Sequence, residues 1–247
     1  MASRYRFQPR GQSGIEMSDL IPHLGEIADE ITLVRSMQTD EFNHGAAELF
    51  MHTGTGRLGR PSFGSWAAYG LGSENRNMPA FVVLMEGGTT ASGKNLWGSG
   101  FLPSSYQGVH LRSGPDPILY LANPKGMEHR DRGAVIDAVN ELNRLQFARA
   151  GDPEILTRIK QYELAFKMQS SVPDLMRIDA EPEHILKLYG AEPGKSSFAN
   201  TCLLSRRLVE KGVRFVQVYM SNWDHHGSIH SSLPARCREM DQAAAAL

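Results

Sequence analysis

A chain of 247 residues, 41% of them hydrophobic, is long and apolar enough to bury the core of one large α/β domain. A formal net charge of -1 and a pI near 6.8 supply no broad positive field, which argues against duplex nucleic acid and anionic lipid as partners. The longest apolar runs, such as Ala80-Phe81-Val82-Val83-Leu84-Met85, fall far short of the roughly 20 residues that span a bilayer. Cys202 and Cys237 are too few for a disulfide framework and lack Cys-x-x-Cys spacing.

Residues 1–10 are basic but lead into Gly11-Gln12-Ser13-Gly14 and not into an apolar segment, so they do not read as a signal peptide. Residues 18–28 predict a short amphipathic helix with Leu20, Leu24 and Ile27 on its apolar side, followed by a strand over 31–36. Helices are expected from Ala46 to His52, closed by Thr53-Gly54, and from Ser62 to Tyr69, ending at Gly70. The run 80–85, bounded by Pro79 and Gly87-Gly88, predicts a strand buried on both faces. From Thr89 to Arg112 the chain turns to Gly, Ser and aromatic residues, a long irregular stretch that is either a functional loop or a surface excursion.

Two helices follow, 131–149 and 152–169, forming a hairpin that turns at Ala150-Gly151, with Asp152-Pro153 as an N-cap and first-turn pair. Val135, Val139, Leu142 and Leu145 mark the expected inner stripe of the first; Ile155, Ile159, Tyr162 and Phe166 mark that of the second. A short helix is predicted over 183–189, stopped by Gly190, and a long one over 196–211, stopped by Gly212, with Cys202 on its apolar face. Residues 213–220 then read as a strand. The last residues, 241–247, are good helix formers with no stop signal, as if a helix were cut in mid-course. Strands alternating with helices predict an α/β fold with a largely parallel sheet covered on both faces.

Two constellations could carry chemistry. The first follows the last strand: Trp223-Asp224-His225-His226-Gly227-Ser228-Ile229-His230, an Asp and three His where Zn²⁺ or a similar divalent ion would find nitrogen and oxygen ligands. On an extended segment Asp224 and His226 point the same way and His225 points away; if the chain turns helical after Gly227, His226 and His230 share a face. Asp224 and His226 are therefore the favoured ligands, His230 a further candidate and His225 a bystander. The second is Thr39-Asp40-Glu41-Phe42-Asn43-His44, leading into a helix at an edge where open α/β sheets bind ligands. Its plain alternative is a turn in which Asp40 caps the helix and His44 is solvated. Lys94, Arg112, Arg57 and Arg60 could meet a sulfate or phosphate ester, but single basic residues are mostly solvated. No Gly-x-Gly-x-x-Gly follows the Gly87-Gly88 pair and no Gly-x-Ser-x-Gly elbow occurs.

Asn43-His44, Thr53-Gly54, Arg60-Pro61-Ser62-Phe63-Gly64-Ser65-Trp66, Leu71-Gly72-Ser73-Glu74-Asn75, Leu188-Tyr189-Gly190 and Trp223-Asp224-His225-His226-Gly227 together resemble a family of bacterial proteins of unknown function, frequent in planctomycetes. That family resembles the sulfatase-like side of the alkaline phosphatase superfamily. The resemblance implies an alkaline-phosphatase-like α/β core over 1–247, with a mostly parallel sheet and a helical hairpin inserted at 131–170. It also implies a divalent metal, zinc or else calcium or manganese, with Asp224 and His226 in its ligand motif and His44 in the segment that carries the nucleophile. The activity implied is metal-dependent hydrolysis of a small-molecule or glycan sulfate or phosphate ester, in a periplasmic or secreted protein. Asp40 falls where those enzymes have Thr, Ser or a modified Cys, so it is a different nucleophile or none. Family members also carry an earlier strand with an Asp and a later Gly-Glu-Phe-Gly-Arg segment that this sequence lacks, so the domain is expected to be incomplete at both ends and its hydrolysis of generic esters near background. The alternative is a non-catalytic protein that keeps the fold and binds a polyanion or glycan.

Overall fold

A computed structural model describes residues 3–88, 90–112 and 123–247 of the chain. A small antiparallel hairpin comes first, β1 (Phe7–Arg10) with β2 (Ile15–Ser18), where the sequence predicts no strand. Asp29 holds its turn from outside, accepting from the backbone N–H groups of Gln12 at 2.8 Å and Ser13 at 3.0 Å, which lowers the pKa of the carboxyl. The helix expected over 18–28 shrinks to α1 (Pro22–Glu26), because β2 extends to Ser18 and Pro22 sets the first turn. The strand expected over 31–36 does not form. Its apolar residues suit a strand, but 31–34 is unpaired and Leu33 and Val34 are exposed; a run of β-formers without a neighbouring ladder is left as irregular chain.

Helices α2 (His44–Thr53) and α3 (Phe63–Leu71) begin at side-chain caps, Asn43 accepting from Gly45 and Ser62 from Ser65. The sheet is parallel, with β3 (Phe81–Glu86) in the centre, β4 (Val109–Leu111) on one edge and β5 (Phe215–Met220) on the other. The stretch after β3 is thus not wholly irregular, since it contains β4 and two 3-10 turns, 93–97 and 104–106. Its first residue, Thr89, lies outside the described residues.

Five helices complete the chain: α4 (His129–Ala150), α5 (Pro153–Met176), α6 (Glu183–Tyr189), α7 (Phe198–Glu210) and α8 (Ile229–Ala246). The predicted hairpin α4–α5 is present, but its seam is not the predicted one. Asn140 and Asn143 of α4 are buried, whereas Val135, Leu142 and Leu145 face outward, and Tyr162 of α5 is exposed as well. α4 has two apolar tracks on different sides, and Gly133 lets Phe166 approach the side that the sequence reading passed over. A seam containing two Asn is the weaker hydrophobic choice, which is why periodicity selects the other.

Side-chain alternation gives the sheet two covered faces. Val82, Leu84, Val216 and Val218 pack with Met168 and Val172 of α5 and Leu204 and Leu208 of α7. Phe81, Val83, Phe215 and Tyr219 face the other way, toward Ala68 of α3, Trp97 and Tyr106. Helix α3 comes so close that a Cβ on Gly64 would lie 2.5 Å from the Phe81 ring. Helix α8 packs on α6 and α7 through Tyr189, Cys202, Leu203 and Ala243, and burial pushes the Cys202 thiol up to about 12. The buried Asp241 of α8 accepts from the free N–H groups of His23 and Leu24, each at 2.9 Å, and so anchors α1. No described helix is long and apolar enough to cross a membrane.

Candidate metal centre

β5 and β3 run in the same direction, so their C-terminal ends open at one edge of the sheet. The chain leaves β5 through Ser221 and the turn at Gly87-Gly88 leaves β3 beside it, Ser221 Oγ donating to Glu86 O at 3.3 Å. A Cβ on Gly88, whose φ is +45°, would lie 2.9 Å from that Oγ, so the glycine gives the loop after β5 its room. Between Asn222 and Ser228 the loop is bounded by left-handed backbone, at φ 67° and 52°. For Ser228 such a conformation is costly, and strain of this kind collects at functional loops.

Helix α2 approaches the same edge from the side. Its Glu48 carboxylate accepts from Ala91 N at 3.3 Å and Ser92 N at 3.0 Å, and Ser92 Oγ donates to Gly45 O at 2.7 Å. These bonds fix the first turn of the helix, where His44 stands. His44 Nε2 lies 3.0 Å from Asp224 Oδ2, and His226 Nε2 lies 2.6 Å from the same oxygen. One ligand atom from each of the three residues falls within 4.8 Å of the other two. The hydrogen bond from His226, foremost, together with the contacts to His44, lowers the pKa of Asp224 against a smaller opposing effect of burial.

Two imidazole nitrogens and a carboxylate oxygen form a donor set suited to Zn²⁺ or another borderline divalent ion. Metal bonds of about 2.0–2.1 Å set ligand atoms about 3.3 Å apart around a tetrahedral ion. The Asp224 oxygen, at 3.0 and 2.6 Å from the two nitrogens, would need to move away from them by about 0.3 and about 0.7 Å, and each nitrogen would turn its lone pair to the ion. The residues present fit a three-ligand metal site with an open fourth position.

The two constellations predicted from sequence thus converge through His44, Asp224 and His226. His230, exposed in the first turn of α8, is not in the group of three, and neither is Asp40, which is exposed in the segment before α2. Asn43 rather than Asp40 caps α2. His225 is half-buried, its Nε2 shut from solvent and without a hydrogen-bond partner among the described residues.

Beside the triad lies a cavity of about 490 Å³ whose lining includes His44, Glu48, His52, Tyr219 and Asp224. Sequence reasoning did not single out Glu48, His52 or Tyr219. The helical spacing of His44, Glu48 and His52 is the signal that could have found the first two. His52 Nδ1 lies 2.7 Å from Glu48 O, which can only accept, so Nδ1 is the donor of this bond. The ring stacks on Tyr219 at 5.5 Å, and burial raises the pKa of the Tyr219 hydroxyl.

The protein of unknown function family DUF1501 matches residues 1–247, and the chain belongs to that family. No curated protein and no solved structure matches it.

Proposed function

We propose that the chain is built around a divalent metal centre held by His44, Asp224 and His226, and that its chemistry is metal-assisted hydrolysis of a sulfate or phosphate ester. The observation that carries this reading is the convergence of two imidazoles and a carboxylate, from segments far apart in sequence, at the C-terminal edge of a parallel sheet. The resemblance of the Asp224-x-His226 and His44 segments to those of sulfatase-like enzymes is a second support for this reading. A bound ion would polarise an ester oxygen and lower the pKa of a water. The protein's own part is to orient the ligands, Glu48 fixing the helix that presents His44 and the alternation of the extended loop turning Asp224 and His226 to one side. An ester would enter the cavity beside His44, which is large enough for a small ligand.

A second reading, a protein that binds a polyanion or glycan without turning it over, has one observation in its favour. Asp40 is not among the residues lining the cavity, and of the three hydroxyls that do line it, those of Thr90 and Ser221 donate to backbone carbonyls of Gly93 and Glu86, while that of Tyr219 accepts from Gln217 and is held protonated by burial. No hydroxyl among these is paired with a base that would activate it as a nucleophile. The test is to measure bound metal, and hydrolysis of 4-nitrophenyl sulfate and phosphate with added zinc or manganese, for the wild-type chain and Asp224→Asn. Metal uptake with hydrolysis, both lost in the variant, supports the hydrolase. Uptake without hydrolysis, together with retention of a sulfated glycan, selects the binding reading. No uptake refutes the centre.

A further inference from the structure

Helix α4 carries apolar side chains on the side turned away from α5. Val135, Leu142 and Leu145 are 49%, 67% and 53% exposed, and with the exposed Ala138 they recur at alternating spacings of three and four residues. At 3.6 residues per turn, this track lies roughly 150° around the helix from Asn140 and Asn143, which are buried in the hairpin. The α5 contact therefore leaves it bare. Asp131 in the first turn and Arg149 in the last turn bound the track at its two ends.

Alternating spacings of three and four residues mark a coiled-coil seam, and this seam is self-complementary. In two α4 helices crossing antiparallel at residue 140, Val135 faces Leu145, Ala138 faces Leu142 and Asp131 faces Arg149, and a two-fold axis repeats each pairing. Small side chains meet large ones, and an acid meets a base at both ends. A parallel pair would instead set Asp131 against Asp131 and Arg149 against Arg149. Glu141, near the axis, has its own counter-charge in Arg144 at 3.4 Å. We propose that this face of α4 is the contact between two copies of this chain, paired antiparallel about a two-fold axis.

Sedimentation of the 247-residue chain at about 50 µM, where a micromolar complex is largely formed, is expected to show a dimer. Leu142→Glu places a charge in the seam at a side chain that the isolated fold leaves exposed, so it should give a monomer with an unchanged circular dichroism spectrum. Asp131→Arg and Arg149→Asp should each weaken the dimer by about tenfold or more through like-charge contact. The double variant should recover most of the loss. Within one helix the two positions are about 27 Å apart, so recovery can come only from contact between copies. A wild-type chain that stays monomeric, a dimer that tolerates Leu142→Glu, or a double variant as weak as the single ones overturns the proposal.

Discussion

Zinc added to the purified chain should raise its thermal midpoint by a small and predictable amount, and the effect should depend on Asp224. A structural four-ligand zinc site contributes at least about 10 kcal/mol of binding free energy. Three exposed ligands without a thiolate scale to about 7 kcal/mol, a Kd of about 10 µM. At about 100 µM free zinc the folded state then gains RT ln 11, about 1.4 kcal/mol. For a chain of this size that is a rise of about 3–6 °C. Differential scanning fluorimetry with and without zinc reads it directly. Asp224→Asn keeps the shape of the side chain and removes its charge, and should abolish the rise while changing the metal-free midpoint little, because Asp224, His44 and His226 are all exposed. His226→Ala should abolish it too, and His230→Ala should leave it intact. A zinc-dependent rise that survives Asp224→Asn, or one that His230→Ala removes, would refute the assignment of ligands.

The fold makes three further predictions. Gly64→Ala drives a methyl to 2.5 Å from Phe81 Cζ and 2.6 Å from Phe215 Cδ1, so the midpoint of urea unfolding should fall by an equivalent of about 1–3 kcal/mol; an unchanged midpoint would show that α3 does not rest on those rings. Glu181, 10% exposed, pairs with Arg206 and Arg207, and Glu181→Gln should cost about 2–4 kcal/mol by leaving both guanidinium groups short of charge. Burial alone would raise the pKa of Glu181, but hydrogen bonds from the two arginines outweigh it and the net shift is downward. The stabilisation is therefore complete above about pH 4.3, where the unfolded side chain is ionised. It is lost as pH falls through the lower native value, and urea titrations across pH 3–7 should show that acid slope in wild type and a flatter one in Glu181→Gln. Asp241→Asn should cost about 1–3 kcal/mol by weakening its bonds to two helix-start N–H groups, with faster hydrogen exchange at His23 and Leu24; protection equal to wild type would mean that α1 holds itself.

Where local chemistry and burial agree, the sequence predicts the element. Residues 80–85 and 213–220 are dense in β-branched and apolar side chains between Gly and Pro boundaries, and both become strands of the parallel sheet, the first at its centre and the second at its edge. Gly190 and Gly212 end α6 and α7 as expected, the first as a left-handed cap at φ 66° and the second just past the helix at φ 82°. Where pairing decides, the sequence is silent. Val109-His110-Leu111 becomes a strand because β3 offers an edge, whereas residues 31–34, richer in β-formers, find none. Helix α4 shows a different limit. Its periodicity is real, but two tracks satisfy it, and the choice belongs to α5, which takes the side with Asn140 and Asn143.

The candidate metal centre divides along the same line. The spacing of Asp224 and His226 is local, since an extended segment turns alternate side chains to one side, and the sequence alone pairs them. Bringing His44 within 3.0 Å of Asp224 depends on the parallel sheet, which opens the β5 loop at the edge where α2 is tied down by Glu48 to the segment beyond β3. Glu48 has no motif; its part follows only from the chain that folds over it. The alternation that aims Asp224 and His226 outward also drives His225 beneath the loop, where its Nε2 is closed to solvent with no hydrogen-bond partner among the described residues. An unpaired buried nitrogen is costly, and so is the left-handed Ser228 a few residues on. Both costs fall on the one segment that carries two of the three proposed ligands, as expected where a loop is shaped by what it presents and not by its own stability.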